Sequence, residues 1–245
     1  MKLAKMILHY ATDAYTRSLL RQVPDAIVVD NGSPRPFQGA RIRQPDLGFT
    51  RGWNTAIRSI YGEFDAFLLM NNDIDITQET IRRLVTILEK YPRIGIISAA
   101  YNSYHKLMRP PKKRWLFPDA PSPANGIRYV PFVELTAPII RKTLFDAIGL
   151  FDERFVKGYG VDYDFAYRTW SAGFSAAVFE GATFHHHEHR SIKSRTTYFR
   201  YRRTAVKEMR RELKKKYGKD FFRADAFPFW NIGKQNIGQV YDEND

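Results

Sequence analysis

The sequence FDAFLLMNNDID, at residues 64–75, predicts both the fold and the position of a functional site. Residues 67–70 form a short, continuous apolar run, which is typical of a strand buried on both faces of a parallel sheet. The run ends in two asparagines and then in Asp73 and Asp75. Because ligands bind at the carboxyl ends of the strands in open α/β sheets, these two carboxylates are candidate ligands for a divalent cation that holds phosphates. Alternatively, the polar residues form only a turn into a helix capped by Thr77.

The composition is that of a folded globular protein. With 245 residues, 44% hydrophobic and 15% aromatic, the chain is long enough for one large α/β domain or two small ones and too apolar to be disordered. We find no apolar run near 18 residues and no signal-peptide pattern, which predicts a soluble, cytoplasmic protein without a transmembrane segment. The absence of cysteine excludes disulfides, thiolate zinc sites and cysteine nucleophiles.

The formal net charge of +13 is concentrated in two clusters. Residues 190–220 contain 13 Lys or Arg against three acidic residues, and a smaller cluster lies in a proline-containing stretch at residues 101–126. Such clusters suit a polyanion, which could be a nucleic acid, an anionic membrane face or a pyrophosphate-bearing acceptor, although a solvated basic face would have the same composition. The candidate polyanion-binding or acceptor-binding residues are Lys112, Lys113, Arg114, Lys214, Lys215 and Lys216.

Hydrophobic periodicity predicts the order β-α-β-α-β-α-β through residue 98, with further strands at residues 131–140 and 176–179. Right-handed crossovers then imply an α/β fold with a mostly parallel, doubly wound sheet flanked by helices and followed by a basic C-terminal helical tail. We place the main domain at residues 1–205. Residues 206–245 are predicted to form a basic, aromatic extension packed on it.

Three further features are candidate parts of a functional site, and the first of them lies at the same edge of the sheet. Asp30 follows the second predicted strand within turn-forming residues. Gly48 and Gly52 flank Arg51 at the start of a helix, where backbone N–H groups could face an anion. Three consecutive histidines stand at residues 185–187, and on a strand they would alternate in direction, so that they cannot all bind one ion. The cluster is then either a source of one metal ligand or a solvated strand end.

Six stretches resemble, in order and spacing, the family 2 glycosyltransferases with the GT-A fold. They are VVDNGS at residues 28–33, LGFTRGWNTAI at 47–57, LLMNNDID at 68–75, IGLFDERF at 148–155, VDYDFAYR at 161–168 and GATFHH at 181–186. The resemblance covers about residues 4–205. It implies a Rossmann-like GT-A domain that transfers a sugar from a nucleoside-diphosphate donor, with a UDP-sugar as the expected donor.

The resemblance also assigns donor and metal roles. It places Asp30 and Asn31 at the nucleotide base and ribose, although the family often has a second Asp where Asn31 stands. It makes Asp73 and Asp75 the D-x-D motif that holds Mn²⁺ or Mg²⁺ against the diphosphate, and it makes His186 a third metal ligand. The donor-binding residues implied are Asp30, Asn31, Gly48, Arg51, Asn54, Asn72 and Asp73.

The same resemblance makes Asp162 the general base of a single displacement, which inverts the anomeric carbon. Val161 stands where the family commonly has Glu, and this departure puts acceptor contacts in question more than catalysis. Asp164 and Arg168 are interpreted as structural support. A nucleotidyltransferase is an alternative, but it needs a Gly-rich basic loop after the first strand, where residues 9–12 read HYAT.

A nucleic-acid-binding module without catalysis is a further alternative, which leaves the acidic residues unexplained. For the acceptor, the basic clusters favour DNA that carries a hydroxyl on a modified base. A cell-surface glycan precursor is the competing acceptor, followed by a protein or a small molecule.

Overall fold

A computed structural model describes residues 1–102, 126–187, 195–219 and 221. The strands are β1 (Leu3–His9), β2 (Ile27–Asn31), β3 (Ile42–Gln44), β4 (Ala66–Asn71), β5 (Ile74–Asp75), β6 (Ile94–Tyr101), β7 (Ile127–Tyr129), β8 (Ile139–Arg141) and β9 (Ser175–His186). The α-helices are α1 (Asp13–Gln22), α2 (Gly48–Ile60), α3 (Gln78–Lys90), α4 (Lys142–Ile148), α5 (Val161–Ser171) and α6 (Arg195–Tyr217). A short 3₁₀ turn at Tyr61–Glu63 follows α2.

Strand β4 lies in the centre of the sheet, as its apolar sequence predicts. Its residues 66–70 have no solvent-accessible surface. It pairs in parallel with β1 on one side and antiparallel with β8 on the other. Because both faces and both edges are covered, the first position at which this strand reaches a polar environment is Asn71, its last residue.

The sheet has the order β3-β2-β1-β4-β8-β6-β9-β5, and β7 pairs with β9. The strands β1, β2, β3, β4, β6 and β9 run in one direction, which confirms the predicted mostly parallel sheet. The antiparallel strand β8 separates β4 from β6, an insertion that the simple alternating pattern did not predict.

The strand predicted at residues 131–140 is formed only at its end, in β8. A turn at residues 135–137 interrupts it, and Pro138 has no N–H for a ladder. The preceding segment still pairs with β4, since the carbonyl oxygens of Thr136 and Pro138 accept hydrogen bonds from the N–H groups of Asn71 and Leu69 at 2.9 and 3.0 Å. This segment therefore runs alongside the end of β4.

Helices α2 and α3 form where apolar residues recur at intervals of three and four. In α2, Trp53, Ala56, Ile57 and Ile60 are buried on one face. In α3, the N–H of Thr80 donates to the Oγ1 of Thr77 at 3.0 Å, which satisfies one of the free donors of the first turn. Both helices were predicted from sequence, and both are confirmed.

The C-terminal helix α6 is attached to α5 by a buried charge. Asp164, in the first turn of α5, is fully buried and accepts hydrogen bonds from Lys216 Nζ, Tyr217 Oη at 2.6 Å and Arg168 Nε at 2.9 Å. Lys216 also donates to Asp152 Oδ2 at 2.8 Å. Burial alone would raise the pKa of Asp152, but the hydrogen bonds from Arg154 and Lys216 hold it well below its usual range.

These contacts change two sequence-based expectations. The predicted boundary between residues 205 and 206 falls inside α6, and Leu213 and Phe221 are buried in the common core.

Lys216, predicted to bind a polyanion, instead neutralises two carboxylates of its own chain, because it faces α5. Lys214 and Lys215 are exposed. The predicted residues Lys112, Lys113 and Arg114 lie outside the described residues.

Across the part of the chain that the structure describes, we find no helix whose length and apolar character would let it cross a membrane.

We expect Lys216→Met to reduce the free energy of unfolding by roughly 1–3 kcal/mol, because it removes a cation from the buried Asp164 while Arg168 and Tyr217 remain. Lys215→Met is the matched control, and as an exposed substitution it should change stability by less than about 0.5 kcal/mol. Urea denaturation of both variants measures the difference. Equal stabilities for the two variants would contradict the anchoring role of Lys216.

Candidate active site

A cleft of about 510 Å³ lies where β4 ends and α5 begins. Four of its polar side chains come from separate elements: Asn71 from β4, Glu134 from the segment before β8, Asp162 from α5 and Arg202 from α6. The cleft is therefore built at the carboxyl end of the central strand, which is where an open α/β sheet places its ligands.

Asp162 lies in the first turn of α5 and lines the cleft. The helix begins after Gly160, which has a φ of +89°, and a Cβ at this position would stand 2.5 Å from Met209 Cγ of α6. Glycine therefore permits both the left-handed turn and the close approach of α6. The N–H of Tyr163 donates to Asp162 Oδ1 at 3.2 Å.

The environment of Asp162 makes it a proton acceptor at neutral pH. Burial and the nearby Glu134 carboxylate raise its pKa to about 7, and backbone N–H groups at the start of α5 offset part of this rise. The Oη of Tyr101 donates to Glu134 Oε2 in a short hydrogen bond. A carboxylate with a pKa near the working pH both accepts and releases a proton readily.

Asp73 and His186 form a candidate pair of metal ligands. Strands β5 and β9 are antiparallel, and their register places Ile74 opposite His186. The Oδ1 of Asp73 lies 3.4 Å from the Nε2 of His186. Two atoms bound to one divalent ion at about 2.1 Å stand roughly 3.0–3.5 Å apart, so this pair fits one carboxylate and one imidazole ligand.

Asp75 lies in a different environment. Its Oδ1 accepts a hydrogen bond from Gln22 Nε2 at 2.9 Å, and its Oδ2 lies 2.7 Å from His187 Nε2. Burial raises the pKa of Asp75, but the hydrogen bonds from Gln22 and His187 outweigh it and lower the pKa. Within the described ranges, no group of three or more acidic, His or Cys side chains could hold a metal. This differs from the prediction that Asp73, Asp75 and His186 share one ion.

The histidines alternate as the strand period predicts. His185 and His187 lie on one side of β9 with ring centroids 4.7 Å apart, whereas His186 approaches Asp73. One histidine of the three is therefore available to Asp73.

Asp30 and Asn31 both shape the turn after β2. The N–H groups of Ser33 and Phe37 donate to the two oxygens of Asp30 at 2.9 and 2.5 Å. Burial raises the pKa of Asp30, but these hydrogen bonds outweigh it and lower the pKa. The side-chain amide of Asn31 donates to the carbonyl of Gly48 at 3.1 Å and accepts from Gln44 at 2.8 Å.

Four other predicted donor ligands have partners within the chain. The amide of Asn54 donates to Phe151 O at 2.8 Å and accepts from Phe151 N at 3.1 Å. Asn72 donates to Thr12 Oγ1 at 2.6 Å. Gly48 N donates to Asp46, and Arg51 pairs with Glu153 at 3.4 Å. These contacts hold α1, α2 and the 151–153 segment in place, so the start of α2 is not the open anion site expected from its glycines.

Sequence reasoning missed Asn71 and Glu134 of the cleft. Glu134 is the only charged residue in PFVELTAPII, at residues 131–140, and an isolated carboxylate in an apolar segment was a usable signal. Asn71 stands at the end of β4, one position before the asparagine that was chosen.

No family model matches the chain. Among curated proteins, three mycobacterial sequences are similar, including the uncharacterized protein Rv1525 of Mycobacterium tuberculosis and Mb1552 of Mycobacterium bovis. Each is 27% identical over 219 residues, which cover 86% of this chain and 82% of the relative.

Solved structures show the same fold at low sequence identity. The mannosyltransferase PcManGT from Pyrobaculum calidifontis, in complex with GDP-Man and Mn²⁺, matches with a TM-score of 0.61 and 11% identity over 100% of this chain and 76% of its own. TarS of S. aureus with UDP-GlcNAc gives 0.57 and 13% over 98% and 81%. GalNAc-T7 with UDP, GalNAc and Mn²⁺ gives 0.60 and 8% over 99% of this chain, which spans 56% of that protein.

These matches and the mostly parallel sheet establish the fold as that of the GT-A glycosyltransferases, as the sequence predicted.

The raised pKa of Asp162 predicts a defined pH dependence of stability. The folded protein binds a proton on the Asp162 carboxyl more tightly than the unfolded chain does. The contribution of this proton to the free energy of unfolding is therefore complete below pH 4 and is lost as the pH rises through 7. We expect Asp162→Asn to be more stable than the wild type above pH 8 by about 1–4 kcal/mol, and this advantage to vanish near pH 4. Urea denaturation at several pH values measures it. A constant difference across this range would contradict the raised pKa.

Proposed function

We propose that the chain is a metal-dependent, inverting glycosyltransferase of family 2 that moves a sugar from a nucleoside-diphosphate donor to a hydroxyl group. One observation carries the proposal: β4 ends at the cleft that contains Asp162, and two residues later Asp73 stands beside His186. One buried strand and the elements around its end thus supply a proton acceptor and a pair of metal ligands.

Asp73 and His186 are the residues that would hold Mn²⁺ or Mg²⁺ here. One carboxylate and one imidazole leave most coordination positions for phosphate oxygens and water, which is how Mg²⁺ sites in phosphate enzymes are built. The ion, when bound, supplies positive charge that stabilises the diphosphate leaving group. The similar structures with bound Mn²⁺ and UDP or GDP-Man support this assignment.

Asp162 is the proposed general base. As the acceptor oxygen forms a bond to the anomeric carbon, the bond from that carbon to the diphosphate breaks and the hydroxyl proton passes to Asp162. Attack from the face opposite the leaving group inverts the anomeric centre. Val161 stands where the family commonly has a Glu before the base, so that carboxylate is missing here. Glu134, from another element, supplies a second carboxylate to the same cleft.

The nucleotide is proposed to lie near the turn of Asp30 and Asn31. Both side chains are engaged in holding that turn, so their contribution to base recognition would come through the shape of the turn as well as through direct contact. A UDP-sugar stays the proposed donor, and the similar structures include complexes with UDP-GlcNAc and with GDP-Man.

A hydroxylated base in DNA stays a hypothesis for the acceptor, with a glycan precursor as the alternative. Of the three lysines proposed to contact DNA from α6, Lys214 and Lys215 are exposed, whereas Lys216 is in ion pairs with Asp152 and Asp164. Of the α6 lysines first assigned to DNA, Lys214 and Lys215 are therefore the ones still available to it.

Asp162→Asn should slow donor turnover by roughly 10²-fold or more while leaving Mn²⁺-dependent nucleotide binding unchanged, because only the proton acceptor is removed. Turnover is measured as release of UDP, GDP or dTDP from a panel of nucleotide sugars. Near-normal turnover by the variant would assign the base to another carboxylate, with Glu134 the first to test. Loss of nucleotide binding would instead mark Asp162 as part of the scaffold.

Asp73→Asn and Asp75→Asn form a matched pair that tests the metal site. We expect Asp73→Asn to abolish the increase in melting temperature that Mn²⁺ plus UDP gives the wild type, because binding to the native state is what raises it. Asp75→Asn should retain that increase, because its carboxylate is held by Gln22 and His187. The reverse pattern would place the ion at Asp75.

A further inference from the structure

One face of α6 forms a groove outside the reaction cleft. Its lining residues recur at the three- and four-residue spacing of a helix face, and the groove has a volume of about 640 Å³. They are Phe199, Arg202, Arg203, Val206, Lys207 and Arg210. Arg202 and Val206 also line the cleft, so the groove adjoins the cleft that contains Asp162.

The groove carries positive charge that no ion pair neutralises within the described part of the chain. Its four cations, Arg202, Arg203, Lys207 and Arg210, are exposed. In residues 1–102, 126–187, 195–219 and 221, no carboxylate forms an ion pair with any of them. The acidic residues of the same helix are engaged elsewhere, since Glu208 pairs with Lys157 and Glu212 with Arg211, both at 2.9 Å. The surface is thus complementary to anions.

Two apolar side chains lie among the same charges. Phe199, which is 52% exposed, and Val206 both line the groove. Tyr201 lies on the other side of α6, where its Oη donates to the carbonyl of Lys157. Aromatic rings beside Lys and Arg are the combination that binds the headgroup region of a membrane, where one part of the surface is apolar and the next is anionic.

We propose that this face of α6 docks on anionic phospholipid headgroups and holds the mouth of the cleft against a bilayer surface. The four cations contact lipid phosphates, and the ring of Phe199 enters the headgroup layer. A nucleic acid would satisfy the charges but would leave the apolar side chains against a phosphate backbone, so the lipid surface fits the whole face better. The docking concerns lipid alone and does not require a donor or a transfer reaction.

Flotation with vesicles tests the docking in the absence of nucleotide. We expect the full chain to float with vesicles that contain about 30% phosphatidylglycerol, not with pure phosphatidylcholine, and to be released by salt. The double variant Arg203→Glu/Lys207→Glu should lower the partition coefficient by roughly tenfold or more. Phe199→Ala, which keeps the charge, should remove binding that persists at high salt.

Arg211→Glu/Lys215→Glu is the matched control, because it makes the same change in net charge at exposed residues of α6 that do not line the groove. It should float nearly as the wild type does. Equal losses in the two double variants would overturn the proposal by showing that net charge alone attracts the protein. Failure of the wild type to float would also overturn it, and binding to a DNA duplex that only Arg203→Glu/Lys207→Glu weakens would assign the groove to nucleic acid.

Both double variants should keep the wild-type melting temperature and its increase with Mn²⁺ plus UDP. If a variant no longer floats but still binds nucleotide, the docking surface is lost while the proposed transferase site is intact. A wild type that floats but binds no nucleotide would leave the docking established and contradict the transferase proposal instead.

Discussion

The burial of β4 is the constraint on which the site depends. Five consecutive residues without solvent contact exclude polar groups from the body of the strand, since an unpaired buried polar side chain is costly. The polar residues that follow are therefore forced to the edge of the sheet, where β9 and α5 also end or begin. Burying each large apolar side chain contributes about 1.5–3 kcal/mol to the stability of the fold. The strand is therefore held firmly, and so is the site at its end.

A second constraint comes from the C-terminal helix. Asp164 is buried and accepts hydrogen bonds from Lys216, Arg168 and Tyr217, and these contacts hold α6 across the start of α5. The absence of a side chain at Gly160 lets Met209 approach the turn that presents Asp162. One side of α6 thus forms a wall of the cleft, and the adjoining side forms the groove.

Local patterns predicted the fold, and long-range contacts decided the details of the site. The apolar run of β4 and the spacing in α2 and α3 depend on neighbouring residues, and these elements were correctly predicted. The antiparallel insertion of β8 between β4 and β6 was not, because three residues after a proline-interrupted segment give little periodic signal. The partners of Asp75 and Lys216 lie about 50 to over 100 residues away in sequence, so no local pattern could show that these side chains are already engaged.

The most direct test of the account is a crystal structure of the chain with Mn²⁺ and UDP. We expect an ion within about 2.0–2.3 Å of Asp73 and His186, bound to diphosphate oxygens, with Asp162 across the cleft from the phosphates. Asp75 should keep its contacts with Gln22 and His187. An ion held by Asp75 and His187, or a nucleotide bound away from the end of β4, would contradict it.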